Sequence, residues 1–245
     1  MEIISVFLAS LSVGSFLNVC IRRIPSGEGI VIASSHCPGC GGELKAADLV
    51  PVVSFLLLRG SCRFCGCRIP FKYPAVELAA GFLGVLLFVK YGAGLAFLKY
   101  AMLAALLIVI GMIDLETGEV HTSTIEFGIV AGGIFAALST GQRIDCIAGA
   151  FAGFALISAV AYAGGMGWGD ADICMMCGLF LGLKYTVVMI LLSFVLGGAA
   201  GVVLIVMRSK GLKDSMPFGP FLAASAFAAI LFGENILKMY AKLVL

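Results

Sequence analysis

Charge is what this chain of 245 residues has least of: Asp, Glu, Lys and Arg together make up 12% of it, and the net charge is +2. So small a basic surplus excludes nucleic acid as a partner, because tracking phosphates needs a strongly positive face. No basic region precedes the first apolar run, which opens Met1-Glu2 and continues into SVGSFLNVCIRRIP without a small-residue cleavage site. A cleavable signal peptide is therefore not expected, and the run stays as the first helix. Internal repeats are absent too, since neither GMGWGD (165–170) nor the cysteine segment has a second copy. That counts against a secondary transporter built from two related halves. Nor is there a glycine-rich strand-to-helix fingerprint of the Rossmann kind.

What the chain does have is apolar residues, 61% of the total, gathered in long blocks rather than scattered stripes. A spanning helix needs roughly 17–25 mostly apolar residues, and candidates lie at 3–19, 75–91, 95–113, 123–140, 146–164 and 216–237. The block 173–207 is too long for one span and divides at Gly182-Leu183-Lys184-Tyr185 into a short helix and a full one. The fold class is an all-α polytopic membrane protein of about eight transmembrane helices. Segment 20–74 carries Arg22, Arg23, Lys45, Arg59, Arg63, Arg68 and Lys72, which places it in the cytoplasm. With eight spans, the loops holding Asp114, Asp170 and Arg208/Lys210/Lys213 fall on that same side, so ten of the 16 basic residues lie inside. Three regions follow: a first helix (1–19), a cytoplasmic metal-binding segment (20–74) and a membrane domain (75–245).

The polar segment contains two C-x-x-C knuckles, Cys37/Cys40 and Cys62/Cys65, with 21 residues between them. Each knuckle can turn two thiolates onto one tetrahedral ion, and Gly39, Gly41, Gly42 and Gly66 supply the turns. The expectation is a small zinc-ribbon-like domain held by a structural zinc ion, since so short a piece buries little core of its own. A pair of disulfides is the alternative, and a reducing compartment disfavours it. Cys67 could stand in for Cys65 or remain a spare thiol, and His36 adjoins the first knuckle. Cys20, Cys146, Cys174 and Cys177 lie in apolar helices and read as packing cysteines.

Ionisable groups within membrane segments are costly and point to function. Asp114 ends the run AMLAALLIVIGMID, and Asp170 closes GMGWGD at the head of another. Two carboxyl groups brought together share a proton, so that one activates water while the other protonates or polarises a carbonyl. Such a couple is an aspartic peptidase dyad, titrating as a unit. Gly165, Gly167 and Gly169 leave the chain free to bend beside Asp170 and offer a substrate backbone a wall without side chains. Each aspartate taken alone also reads as a helix-end residue. Asp172, Glu116 and Glu119 are rival acids nearer the loops.

With these residues in view, the chain resembles the bacterial type IV prepilin peptidases, the leader peptidase/N-methyltransferases among membrane aspartic proteases with a G-x-G-D motif. GWGD (167–170), Asp114 with its acidic sequel, GSFLNVCIRRIP (14–25), the paired knuckles, PFKYPAVELAAG (70–81) and PFGPFLA (217–223) carry the likeness along almost the whole length. The resemblance implies cleavage of prepilin and pseudopilin leaders after glycine at the cytoplasmic face of the bacterial inner membrane, with Asp114 and Asp170 catalytic. It also implies N-methylation of the new terminus with S-adenosylmethionine, an activity associated with the cytoplasmic segment. Two positions depart from the family pattern: His121 stands where proline is frequent, and Asp172 where lysine is frequent. An acid at 172 is expected to raise the proton affinity of the dyad.

The methyl-donor site has no sequence signature here. Glu43, in the cysteine segment, and Glu77, at its membrane exit, are candidates, but Glu43 reads at least as well as a solvated charge and Glu77 as a first-turn helix acid. Three other readings remain: a peptidase without methyl transfer, a proton-coupled transporter, and a scaffold that holds pilin precursors. The last two leave the glycine series without a chemical purpose.

Overall fold

In the computed structural model of the protein, residues 1–30, 36–37, 39–139, 141–207 and 216–244 are described. The basic positions Arg208, Lys210 and Lys213 lie outside them. Nine α-helices follow one another among the described residues: α1 Glu2–Ser26, α2 Val53–Leu57, α3 Lys72–Tyr91, α4 Leu95–Thr117, α5 Thr122–Leu138, α6 Arg143–Tyr162, α7 Trp168–Leu181, α8 Leu183–Val206 and α9 Gly219–Val244. A short 3-10 turn, Ala46–Leu49, precedes α2. Pairing of the β type is confined, among these residues, to two isolated bridges.

The expected order of helices is present, but eight full spans are not. Six helices are long and apolar enough to cross a membrane, and α5 is a shorter apolar helix of 17 residues. Helix α7 has 14 residues, about 21 Å at 1.5 Å per residue against a hydrocarbon core of roughly 30 Å. The break between α7 and α8 falls where the sequence placed it, at Gly182, whose φ is 78°. Helix α1 runs past the expected end at residue 19 to Ser26, through Arg22, Arg23 and Pro25, until Gly27 turns left-handed at φ 65° and stops it. The chain is a multi-pass membrane protein.

Two compact units divide the chain, Met1–Phe97 and Leu98–Leu245. In the first, α1 and α3 lie side by side. The buried residues of α1, Leu11, Gly14, Leu17, Asn18 and Ile21, recur at helical spacing and form one stripe. Gly14 brings the backbones together, because a Cβ there would lie 2.7 Å from the Cα of Glu77. The Phe7 and Phe82 rings pack at 5.5 Å, and Asn18 Nδ2 donates to the Tyr73 carbonyl at 3.0 Å.

In the second unit α7 is the buried centre, surrounded by α5, α6, α8 and α9. Ile173, Cys174, Met176, Cys177 and Phe180 have no exposed surface. Lipid gives no hydrophobic push between helices, so they must associate through close packing over small residues. Helix α6 meets α7 in this way: a Cβ at Gly178 would fall on the α6 backbone at Gly149 and Ala150. Gly178→Ala is expected to destabilise the protein by about 1–3 kcal/mol, as overpacking does. Gly198→Ala on α8, where a Cβ meets open space, should instead be neutral or stabilise by up to about 1 kcal/mol. Thermal unfolding of purified protein in detergent measures both.

Candidate functional site

Asp114 sits in the last turn of α4 and is 4% exposed. Its Oδ2 accepts a hydrogen bond of 2.8 Å from the backbone N–H of Gly219, the first residue of α9. A helix N-terminus leaves N–H groups without partners and carries partial positive charge, and here a carboxylate from another helix meets both needs. Only glycine permits the approach, since a Cβ at 219 would stand 2.8 Å from that oxygen.

Asp170 lies in the first turn of α7 and is 8% exposed. Its carboxylate is held by the backbone of Gly167 and lies close enough to Asp114 to feel its charge. Sequence reasoning named these two acids, and the fold brings them together. The rivals sit elsewhere. Glu116 and Glu119 are exposed. Asp172 follows Asp170 by two residues, roughly 200° around the helix, is half-buried, and is not among the groups that act on Asp170. His121 precedes α5 and its carbonyl accepts from the Thr124 N–H at 3.1 Å. The other buried charge among the unit's described residues, Lys99, is 15 residues from Asp114 along α4, beside Asp145 and Cys146 of α6.

The three predicted glycines do different work. The left-handed residue of this segment is Gly164, with φ 78°, and not Gly165, Gly167 or Gly169. Gly167 is the N-cap of α7, and its position faces the Asp170 carboxylate at 3.6 Å. Gly169 lets the loop after α4 come close, because a Cβ there would lie 2.9 Å from that of Val120. Gly165 is flanked by Val160. Gly219, Gly164 and Val120 were not singled out from sequence. PFGPFLA was visible as a segment, but nothing in it announced a hydrogen bond to a residue 105 positions away.

In the first unit the sulfurs of Cys37, Cys40, Cys62 and Cys65 all lie within 4.8 Å of one another. Two equivalent knuckles build the cluster. In each, the first cysteine's carbonyl accepts from the N–H four residues on (Gly41, Gly66), and its N–H donates to the carbonyl five residues on (Gly42, Cys67). The bridges His36–Glu43 and Ser61–Arg68 flank them in the same register. Gly41 and Gly66 adopt φ 69° and 70°, a conformation that costs an L side chain strain. This repeat puts Cys65 in the position of Cys40, and Cys67 in that of Gly42. Hydrogen bonds from the Gly39 and Cys40 backbone draw the Cys37 thiol down to about 6, which favours the thiolate a metal needs. The Cys67 thiol is pushed up to about 12 by its contacts with Cys65 and Cys37, 3.4 Å away in the latter case, and Cys40 is raised to about 11 by Cys65 and Cys37, so it is the backbone repeat that distinguishes Cys65 from Cys67. All nine cysteines are free thiols. Cys20, Cys146, Cys174 and Cys177 are buried, as packing residues should be.

Fold and site together define a helical multi-pass membrane protein with a buried pair of carboxylates and a separate four-thiol cluster. Residues 8–91 match the Bacterial Peptidase A24 N-terminal domain, and residues 101–202 match the Type IV leader peptidase family. The prepilin leader peptidase/N-methyltransferase of Aeromonas hydrophila is 31% identical over 96% of this chain and 92% of its own length. Its namesake from Bacillus subtilis is 30% identical over 98% of each, and that from Pseudomonas putida 30% identical over 92% of this chain and 89% of its own. No solved structure matches. The chain belongs to the type IV leader peptidase family.

The two knuckles make a testable distinction. Cobalt(II) added to the metal-stripped protein is expected to give thiolate-to-metal charge-transfer absorption at one ion per chain. Cys65→Ser should weaken or shift that band, and Cys67→Ser should leave it unchanged.

Proposed function

We propose that this chain removes the leader peptide of type IV prepilins or pseudopilins and then methylates the new amino terminus. The observation that carries the first step is the buried pair Asp114 and Asp170, near enough to interact. Two carboxyl groups so placed hold one proton between them. The ionised member takes a proton from water as it attacks the scissile carbonyl, the protonated member stabilises the oxygen, and the proton then passes to the leaving amine. The Gly219 N–H holds Asp114 in place from the head of α9. Glycine at 167 leaves the Asp170 carboxylate without a side chain beside it on that flank, which suits a peptide backbone.

The cysteine cluster is a structural zinc site, with Cys37, Cys40, Cys62 and Cys65 as ligands. Four sulfurs without an open position suit zinc in a structural rather than catalytic role. Bound S-adenosylmethionine would supply an electrophilic methyl group to the terminal amine, the amine giving up a proton and S-adenosylhomocysteine being the leaving group. Basic residues gathered in 20–74 support a bacterial inner-membrane orientation with the cysteine segment and the aspartates facing the cytoplasm.

The test follows the mass of a pilin precursor incubated with the detergent-solubilised enzyme. Leader loss is expected from the wild type, and Asp114→Asn or Asp170→Asn should each slow it at least about 100-fold without lowering the unfolding temperature. Gly219→Ala should slow it about tenfold or more, since a hydrogen bond to a charged group contributes about 1.5–3 kcal/mol. Leader loss undiminished by the aspartate substitutions would refute the dyad. A product that gains no methyl group on addition of S-adenosylmethionine would reduce the activity to proteolysis.

A further inference from the structure

Within the first unit, α1, the cysteine segment and α3 line a half-open pocket of about 200 Å³. Phe55, Leu58, Ile69 and Tyr73 give it apolar walls, and Glu77 and Arg22 reach it from α3 and α1. Most of the lining charges already have partners. Arg63 holds Asp48 at 2.7 Å. Arg23 reaches Glu28 at 4.0 Å and donates to the carbonyls of Gly29 and Ile30.

Glu77 is different. It is 9% exposed, and its carboxylate meets neutral donors alone: the Val52 N–H at 2.8 Å, Ser15 and Asn18. Among the described residues no cation pairs with it, although a buried carboxylate without one is expensive. Arg22, half-buried, likewise has no ion-pair partner among the described residues. Beside Glu77, Val52 is held at φ 61° and ψ −45°, a costly conformation for a β-branched residue and of a kind that clusters at active sites and ligand clamps. A cavity of this kind offers a negative wall, a positive wall and aromatic faces between them. The complementary ligand carries a fixed cation, a carboxylate and a flat ring. A sulfonium amino acid joined to a nucleoside has all three.

We propose that this cavity binds S-adenosylmethionine, with Glu77 facing the sulfonium and Arg22 the methionine carboxylate. The assignment rests on the methyl-transfer reading above and separates the two acids that sequence left equal. Glu43 is exposed on a β-bridge and does not line the cavity. Glu77 recognises charge rather than shape, so it should distinguish the sulfonium donor from the neutral thioether product, whereas Arg22 should not.

Equilibrium binding to the zinc-loaded, full-length protein in detergent tests this. Glu77→Gln keeps an oxygen for the Val52 N–H and removes the charge. It is expected to weaken S-adenosylmethionine binding about tenfold or more while leaving S-adenosylhomocysteine within about twofold of wild type. Arg22→Met should weaken both, and leader cleavage should persist in both variants. Equal losses for the two ligands in Glu77→Gln, or no loss, would overturn the role of Glu77. Hydrogen exchange of the wild type supplies a test independent of variant folding: residues 46–58 should be protected by S-adenosylmethionine. If the wild type methylates its product yet shows no such protection, the donor site lies elsewhere and only this assignment fails. If the wild type neither binds the donor nor methylates, the methyl-transfer reading fails with it.

Discussion

The second unit depends on two carboxylates being kept close together out of water. Left alone, buried like charges drive each other apart; sharing one proton relieves the repulsion, and backbone holds each carboxyl in place. Asp114 is held by the Gly219 N–H at the head of α9, and Asp170 by Gly167 at the head of α7. Each acid thus rests against a positive helix end. The arrangement requires the end of α4 and the beginnings of α7 and α9 to converge. That convergence comes from helices fitted over glycine: α6 against α7 at Gly178, and the loop after α4 against Gly169.

The shortness of α7 belongs to the same design. A helix of 14 residues cannot traverse the hydrocarbon core on its own, but one enclosed by four others need not face lipid. Residues 162–165 and 167–168, just before its buried Asp170, are exposed, and irregular backbone of this kind needs either protein or water around it. A wet notch at the membrane edge, rather than an exposed loop, is what the chemistry needs.

The first unit solves a different problem. Its polar segment is too small to bury a core, and its two thiol knuckles repeat one backbone pattern so that four sulfurs converge. The loop between the knuckles is tied to the membrane helix by Glu77, which reaches the Val52 N–H. A single carboxylate therefore joins the strained turn before α2 to α3 and forms one wall of the cavity.

Much of this was legible in the amino-acid order, because the features concerned are local. Apolar blocks, the break at Gly182, the cysteine spacing and two acids beside apolar runs all depend on neighbours along the chain, and hydrophobicity and turn chemistry act over just such distances. Helix ends were less legible: α1 continues past residue 19 because its arginines remain helical until Gly27. Whether Cys65 or Cys67 matches Cys40 was undecidable by spacing and clear once the knuckles' hydrogen bonds could be compared. Sequence alone thus determined the class of protein and the kinds of group it brings to bear. Tertiary structure alone decided which glycine supports Asp114, which acid lines the cavity and which acids meet, because those relations join positions as far as 105 residues apart and arise only when helices pack.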